Sequence, residues 1–293
     1  MATIRGTMNA SGSFLLPPGP LDPGWVEREY NNRQLVPEHP AFFTRWEKDS
    51  EFVRHTLPGR LELPYGPHPR QRVDIFPARG SRRLLVFLHG GYWRGLDKRM
   101  FAWLAPAWVA EGVSVALANY RLCPAVGIAD IVDDAIAALN WIAIHAPVHG
   151  AGAERIVVAG HSAGGHLVGA IFAASRECFA FDLARIAGGV PISGIFDFSP
   201  MPFFSGNADL RLDAASARAL DLHDKRPTIA APLVVAVGGG ESGEFIRQSR
   251  LIADRWAPQA RAPLVLPGMH HFSVLEALAE RGQPLHDAIL SLS

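Results

Sequence analysis

Short apolar runs alternate with longer amphipathic stretches over most of the chain. The runs are rich in valine, isoleucine and leucine and end near glycine, proline or charged residues, as buried strands do. Between two of them, Ile128 to His145 places apolar residues on one face at helical spacing, which predicts an amphipathic helix. Strands that alternate with helices predict an α/β fold, with a mostly parallel sheet covered on both faces. The predicted strands of this sheet are 84–88, 113–117, 155–159, 186–195, 232–237 and 263–266.

Two parts of the chain depart from this alternation. Residues 60–65 and 71–76 are short, partly alternating runs on either side of a Gly-Pro turn, which predicts an antiparallel hairpin at the edge of the sheet. Residues 198–230 interrupt the order of strands and helices with several prolines and a helical stretch around 213–222. Because this insertion lies between two sheet strands, we expect it to cover the carboxyl edge of the sheet as a small lid.

The two ends of the chain are predicted from local composition. Residues 1–20 are small, polar and then rich in proline, which indicates a loose leader. Residues 21–56 carry large aromatic side chains among many charges, which indicates an N-terminal helical segment with helices near 24–31 and 39–54. A closing helix is predicted over 273–292, with a break at its glycine and proline.

Composition limits the classes of function. A length of 293 residues with 48% hydrophobic residues fits one large α/β domain over residues 1–293. The 28 basic and 28 acidic residues balance, and no basic stripe that would bind nucleic acid is present. The chain has no secretory signal and no run of about 18 apolar residues, so we expect a cytoplasmic protein without a membrane partner.

The stretch richest in chemistry is Gly160 to Gly164, with the sequence Gly-His-Ser-Ala-Gly. It follows the predicted strand 155–159 and precedes an apolar pattern of helical type. Gly-x-Ser-x-Gly in this context is typical of a nucleophile elbow, a tight turn that lifts the serine to the carboxyl edge of a parallel sheet. Ser162 is therefore the predicted nucleophile.

A serine nucleophile needs a base within hydrogen-bond reach and an acid that orients this base. In this architecture the chain order is serine, then acid, then histidine. After Ser162, Glu241 and Glu244 follow one predicted strand, and His270 and His271 follow the next. Glu241 is favoured because it lies on the loop at the end of its strand, whereas the helix dipole explains an acid at Glu244. The chemistry alone leaves the choice of histidine open.

The oxyanion that forms during acyl transfer needs backbone N–H donors that are already in place. His89 to Trp93 follows the predicted strand 84–88, and its two glycines allow the backbone to approach a substrate closely. The expected donors of the oxyanion hole are the N–H groups of Gly90, Gly91 and Ala163.

No cofactor and no metal ion are predicted. The twelve histidines are scattered and form no His-Glu-x-x-His pattern. The glycines at 238–240 lack the lysine and the serine or threonine of a nucleotide-binding loop. The expected partner is a small-molecule substrate, and a homodimer is left open.

At this point the sequence resembles the α/β-hydrolase superfamily and, within it, the kynurenine formamidase (arylformamidase) group near the hormone-sensitive-lipase-like esterases. The resemblance covers about residues 25–290 and includes Tyr30-Asn31-Asn32-Arg33. The lipase-like esterases usually continue the oxyanion turn with another glycine or alanine, so Tyr92-Trp93 separates this chain from them. The motifs that carry the resemblance are 89–93, 160–166, 241–245 and 271–272.

The resemblance implies a function and a choice of histidine. It favours His271, which directly precedes an aromatic residue, as the base. It implies a serine hydrolase that cleaves an aryl formamide such as N-formyl-L-kynurenine to the aryl amine and formate. The chain departs from the formamidases at Glu241, where they usually have an aspartate, so the histidine must be seated slightly differently.

Large aromatic residues are candidates for binding an aromatic leaving group, since small-molecule pockets are mostly apolar and aromatic. The candidates are Tyr92, Trp93, Phe203 and Phe204, and packing in the core or the lid is an equal alternative for all four. The alternative function is a carboxylesterase that cleaves short-chain or aryl esters with the same triad. A third hypothesis is a catalytically inactive protein with this fold that only binds a ligand. The complete triad in the sequence argues against this hypothesis.

Overall fold

The computed structural model describes residues 21–293, and eight strands form a single sheet at its centre. The spatial order is β1-β2-β4-β3-β5-β6-β7-β8; β2 pairs antiparallel with β1 and β4, and all other pairs are parallel. The predicted edge hairpin and the mostly parallel sheet are both present. The strands are β1 (Arg60–Pro64), β2 (Arg72–Phe76), β3 (Arg83–Leu88), β4 (Val113–Ala118), β5 (Arg155–His161), β6 (Ile186–Ile192), β7 (Ala236–Gly238) and β8 (Leu264–Leu266).

Helices cover both faces of this sheet. Along β3, Leu84, Val86 and Leu88 belong to one hydrophobic cluster, whereas Leu85 and Phe87 belong to a second. Because successive side chains of a strand point to opposite faces, the two clusters are the cores on the two sides of the sheet. The helices are α1 (Pro23–Tyr30), α2 (Asn32–Leu35), α3 (His39–Thr56), α4 (Ala105–Ala110), α5 (Ile128–His145), α6 (Ala163–Ala173), α7 (Asn207–Leu210), α8 (Ala214–Leu220), α9 (Gly243–Arg255), α10 (Glu276–Ala279) and α11 (Pro284–Leu292).

One predicted strand is much shorter than its sequence pattern suggests. The apolar run 232–237 forms regular strand only from Ala236, with an isolated bridge between Gly189 and Leu233. On this side of β6 the amides of Gly189 and Ser193 donate to the neighbouring segment. Pro191 lies between them and has no N–H to donate, so the ladder is interrupted at this point.

The segments outside the sheet contain short helices. The N-terminal helical segment contains α1 and α3, with the short α2 between them. The segment 198–230 contains two short helices, α7 and α8. The closing helix is divided into α10 and α11, and the break contains Gly282 with a positive φ of 84°. The predicted leader over residues 1–20 lies outside the described residues.

One helical stretch in the described part of the chain, Ile128–His149, is long and apolar enough to cross a membrane by length and composition alone. Half of it is buried inside the protein, and Ile131, Leu139 and Ile142 on α5 belong to one of the two cores. These contacts are those of a core helix that packs on the sheet.

Candidate active site

Ser162 occupies the sharp turn between β5 and α6. Its backbone has φ 55° and ψ −116°, which is a strained conformation for a residue with a side chain. The turn is held because the Ser162 amide donates a hydrogen bond of 2.8 Å to the carbonyl of Ile192 at the end of β6. Ser162 is 2% exposed, and its hydroxyl has no hydrogen-bond partner among the residues that the structure describes. Strain of this kind is typical of a nucleophile held ready for reaction.

The elbow packs so closely on the neighbouring strand that a side chain at Gly164 has no space. A Cβ atom at this position would lie 2.0 Å from the carbonyl oxygen of Leu88 at the end of β3. Because the Leu88 carbonyl belongs to the backbone of β3 in the centre of the sheet, it does not move away easily. The second glycine of the motif is therefore required by the packing of α6 on the sheet.

We expect Gly164→Ala to lower the free energy of unfolding by about 3 kcal/mol or more, since the added methyl group overpacks the backbone. Gly127→Ala is the matched control, because a Cβ atom there would meet its nearest neighbour, Asp130, at an ordinary distance of 3.5 Å. Urea denaturation of both variants checks the prediction. Equal stability of the two variants would contradict this explanation of the motif.

Glu241 and His271 form a buried pair between the loops that follow β7 and β8. His271 Nδ1 donates to Glu241 Oε2 at 2.7 Å, and the two side chains are 4% and 0% exposed. The other carboxylate oxygen of Glu241 accepts hydrogen bonds from the Gly238 amide, at 2.8 Å, and from the Ser193 hydroxyl. These bonds fix the carboxylate and keep the proton on Nδ1. Nε2 of His271 is therefore left with the lone pair that a general base needs.

The second histidine of the sequence pattern has a different environment. His270 is less buried than His271, and its Nε2 lies 3.9 Å from Glu38. Burial nevertheless lowers the pKa of His270 below its usual value. The structure thus brings His271 rather than His270 together with Glu241.

Glu244 belongs to a buried ion cluster and is not paired with a histidine. It accepts a hydrogen bond of 2.6 Å from the Tyr30 hydroxyl and two from the Arg247 guanidinium. Arg247 also donates to Asp197 at 2.8 Å. Burial raises the pKa of Tyr30, with a further contribution from the charge of Glu244, so the phenol remains a donor. From the sequence, the helix dipole alone explained an acid in this turn. In the structure, Glu244 also belongs to an ion cluster that joins α1 to α9.

Three backbone amides beside Ser162 have no acceptor. The N–H groups of Gly90, Gly91 and Ala163 donate to no other group among the described residues. A Cβ atom at Gly90 would lie 3.1 Å from Cβ of Ser162, which measures how closely this loop approaches Ser162. Unpaired amides next to a nucleophile are suited to stabilise an oxyanion.

A second histidine ring lies against His271. The ring centroids of His161 and His271 are 4.6 Å apart, and His161 Nε2 donates to the His271 carbonyl at 2.8 Å. Burial, followed by the neighbouring His271, holds the pKa of His161 well below its usual value, so this ring is neutral. Phe245 packs on the ring of His271 with a centroid distance of 4.7 Å. Both neighbours restrict the orientation of His271.

A cavity of about 630 Å³ opens beside Ser162 and His271. Tyr92 and Phe204 line it with stacked rings whose centroids are 4.7 Å apart. The other two aromatic candidates do not line this cavity. Trp93 is fully buried and packs against His166 in the core. Phe203 is 42% exposed to solvent on the outside of the segment 198–230.

Part of the cavity wall comes from the N-terminal segment, a contribution that pattern analysis did not predict. The Tyr92 hydroxyl donates to the carbonyl of Tyr30, which joins the loop after β3 to the end of α1. In the sequence, the only sign of this contribution was that Tyr30-Asn31-Asn32-Arg33 resembles the formamidases. The resemblance gave no structural reason for these residues. The residues of this segment that line the cavity are Asn31, Asn32, Arg33, Gln34, His39, Phe43 and Trp46.

One group of potential metal ligands occurs within residues 21–293, formed by Asp197, Asp221 and His223. Both carboxylates already accept hydrogen bonds: Asp197 from Arg247, and Asp221 from the backbone amide of Phe198. None of the three residues lines the cavity beside Ser162. Their arrangement is explained by packing of the segment 198–230 on α9.

Comparisons with known proteins agree with this fold. A family model described as alpha/beta hydrolase fold matches residues 85–225. The kynurenine formamidase of Drosophila melanogaster is 26% identical over 74% of this chain and 76% of its own length. That of Danio rerio is 26% identical over 86% and 88% of the two chains. The crystal structure of a provisionally named thioesterase from Silicibacter sp. tm1040 is 32% identical, with a TM-score of 0.79 over 89% of this chain and 97% of that one.

Proposed function

Because the chain belongs to the α/β-hydrolase superfamily and is a hydrolase, we propose that it cleaves an aryl formamide, with N-formyl-L-kynurenine as the type substrate. The observation that carries this proposal is the position of Tyr92 and Phe204. Their stacked rings lie in the same cavity as Ser162 and His271, where an aromatic leaving group would be held. The likeness to the two kynurenine formamidases over most of the chain supports the same substrate class.

In the first half of the proposed reaction, Ser162 Oγ attacks the formyl carbon and its proton passes to His271 Nε2. The amides of Gly90, Gly91 and Ala163 stabilise the oxyanion. The carbon–nitrogen bond then breaks, and His271 returns the proton to the departing aryl amine. A formyl ester of Ser162 remains.

In the second half, water attacks this formyl ester, with His271 again as the general base. Collapse of the second oxyanion breaks the bond to the serine oxygen and releases formate, while His271 gives its proton back to Ser162. Glu241 stabilises the imidazolium that forms in both halves without taking a proton itself. No redox step or cofactor is needed to balance the reaction.

The proposal is tested by incubating the protein with N-formyl-L-kynurenine and measuring both products. We expect L-kynurenine, followed by its absorbance, and formate, followed with formate dehydrogenase, to appear in equal amounts. Hydrolysis of p-nitrophenyl acetate is measured beside it as a reference for the triad. Cleavage of the ester without any release of formate from the formamide would favour the carboxylesterase alternative.

A further inference from the structure

The cavity beside Ser162 has an unbalanced charge. Among residues 21–293, 19 line the cavity; two of these are arginines, Arg33 and Arg94, and none is an aspartate or a glutamate. Arg94 is balanced from outside, because its Nη1 binds Asp209 at 2.7 Å and its charge also acts on Glu27. The charge of the cavity wall therefore depends on the other arginine.

Arg33 has no carboxylate oxygen within 4 Å of its guanidinium among residues 21–293. The guanidinium lies over the ring of Phe43, with Arg33 Cζ 5.7 Å from the ring centroid. Glu47 and Glu51 line an adjoining groove together with Arg33, but neither forms an ion pair with it. The guanidinium, with five N–H donors in a planar fork, is thus available to an anion in the cavity.

Asn32 adds a second donor to the same wall. Asn32 is 4% exposed and lines the cavity, and its Nδ2 atom is buried without a hydrogen-bond partner among residues 21–293. A buried amide without an acceptor is costly, so an amide of this kind beside a binding cavity is suited to donate to a bound acceptor. The amide donates two hydrogens, and the group that it would bind must be an acceptor.

We propose that Arg33 and the side-chain amide of Asn32 bind a carboxylate on the substrate, and so select aryl formamides that carry an acidic side group. The identity of the reacting bond rests on the proposed function, whereas the carboxylate site rests on these two side chains. N-formyl-L-kynurenine has such a carboxylate at the far end of its side chain. The aryl amine product keeps this carboxylate. Because the product is not hydrolysed further, its binding can be measured without turnover.

The test is calorimetric titration of the protein with L-kynurenine and with kynurenamine, which lacks the carboxylate but keeps the aryl ketone and the amino group. We expect the wild type to bind L-kynurenine about 10- to 100-fold more tightly, as hydrogen bonds to a charged group provide. Arg33→Gln should remove most of this preference and Arg33→Lys should retain part of it. Asn32→Asp, which has nearly the same shape, should reverse the preference by adding a negative charge.

Arg28→Gln is the matched control, because Arg28 is exposed like Arg33 but lies on the neighbouring α1 and does not line the cavity. It should leave both affinities within about twofold, since an exposed charge at a distance is screened by salt. Equal binding of the two ligands by the wild type would overturn the proposal, as would an equal loss for both ligands in Arg33→Gln. Because no catalysis is measured, an Arg33-dependent preference together with no cleavage of the formamide would refute the proposed function alone.

Discussion

Ser162→Ala is expected to lower kcat by about 10⁴- to 10⁶-fold for both N-formyl-L-kynurenine and p-nitrophenyl acetate, because no other group replaces the nucleophile of a triad. The elbow conformation should survive, since the turn is held by the Ser162 amide and by Gly164 rather than by the hydroxyl. Initial rates measured on both substrates, with circular dichroism to verify folding, check this prediction.

Ser249→Ala provides the matched control for that variant. Ser249 is fully buried on α9, and its hydroxyl also has no hydrogen-bond partner. Removing a buried, unpartnered hydroxyl should change kcat by less than about threefold and leave stability nearly unchanged. If Ser162→Ala were as active as Ser249→Ala, Ser162 would not be the nucleophile and the proposed mechanism would be wrong.

The second large effect is expected at Glu241. Glu241→Gln replaces a carboxylate that holds the proton on His271 Nδ1, and the amide allows the wrong tautomer of the ring. We expect kcat to fall by about 10³- to 10⁴-fold, as for the corresponding change in a serine protease triad. Stability should change little, because the side-chain oxygen of the introduced glutamine can still accept the hydrogen bonds that the Gly238 amide and the Ser193 hydroxyl donate.

Glu244→Gln is the matched comparison, since the same substitution three residues further along should act on stability instead. It removes one charge from the buried cluster with Arg247 and Tyr30. Breaking a buried ion pair in this way costs about 3 kcal/mol of unfolding free energy, while kcat should remain within about threefold. Urea denaturation and kcat are measured for both variants. A larger loss of kcat in Glu244→Gln than in Glu241→Gln would exchange the roles assigned to the two acids.

The order of Ser162, Glu241 and His271 was readable from the sequence for a physical reason. Each residue follows a strand of one parallel sheet, and the carboxyl ends of such strands meet at one edge. The sheet itself followed from apolar runs that alternate with amphipathic ones. The sequence pattern therefore predicted which loops meet. It left open which of two neighbouring histidines contacts the acid, and only the resemblance favoured His271.

The orientation of side chains on these loops was not predictable from the pattern. Tyr92 and Trp93 are adjacent and both aromatic, yet only Tyr92 lines the cavity. Their φ angles of 50° and 54° are positive, which is rare for residues with side chains and has no signature in a run of aromatic residues. The same limit applies to Phe203 and Phe204, where one ring faces solvent and the other faces the cavity.

Contacts between distant parts of the chain were also missed. The hydrogen bond between Tyr30 and Glu244 joins residues 214 positions apart, and no local spacing encodes it. The same packing brings Asn32 and Arg33 to the wall of the cavity. Pattern analysis describes elements one at a time. The contribution of the N-terminal segment to the cavity beside Ser162 and His271 is therefore visible only in three dimensions.

The most direct test of the central claim is an internal competition. Wild-type protein receives N-formyl-L-kynurenine and p-nitrophenyl acetate at equal concentrations in one reaction, and the ratio of the two product rates gives the ratio of kcat/KM values. The account predicts that L-kynurenine forms faster than p-nitrophenol, although the ester has the better leaving group. Preferential cleavage of the ester, with little or no L-kynurenine, would contradict it.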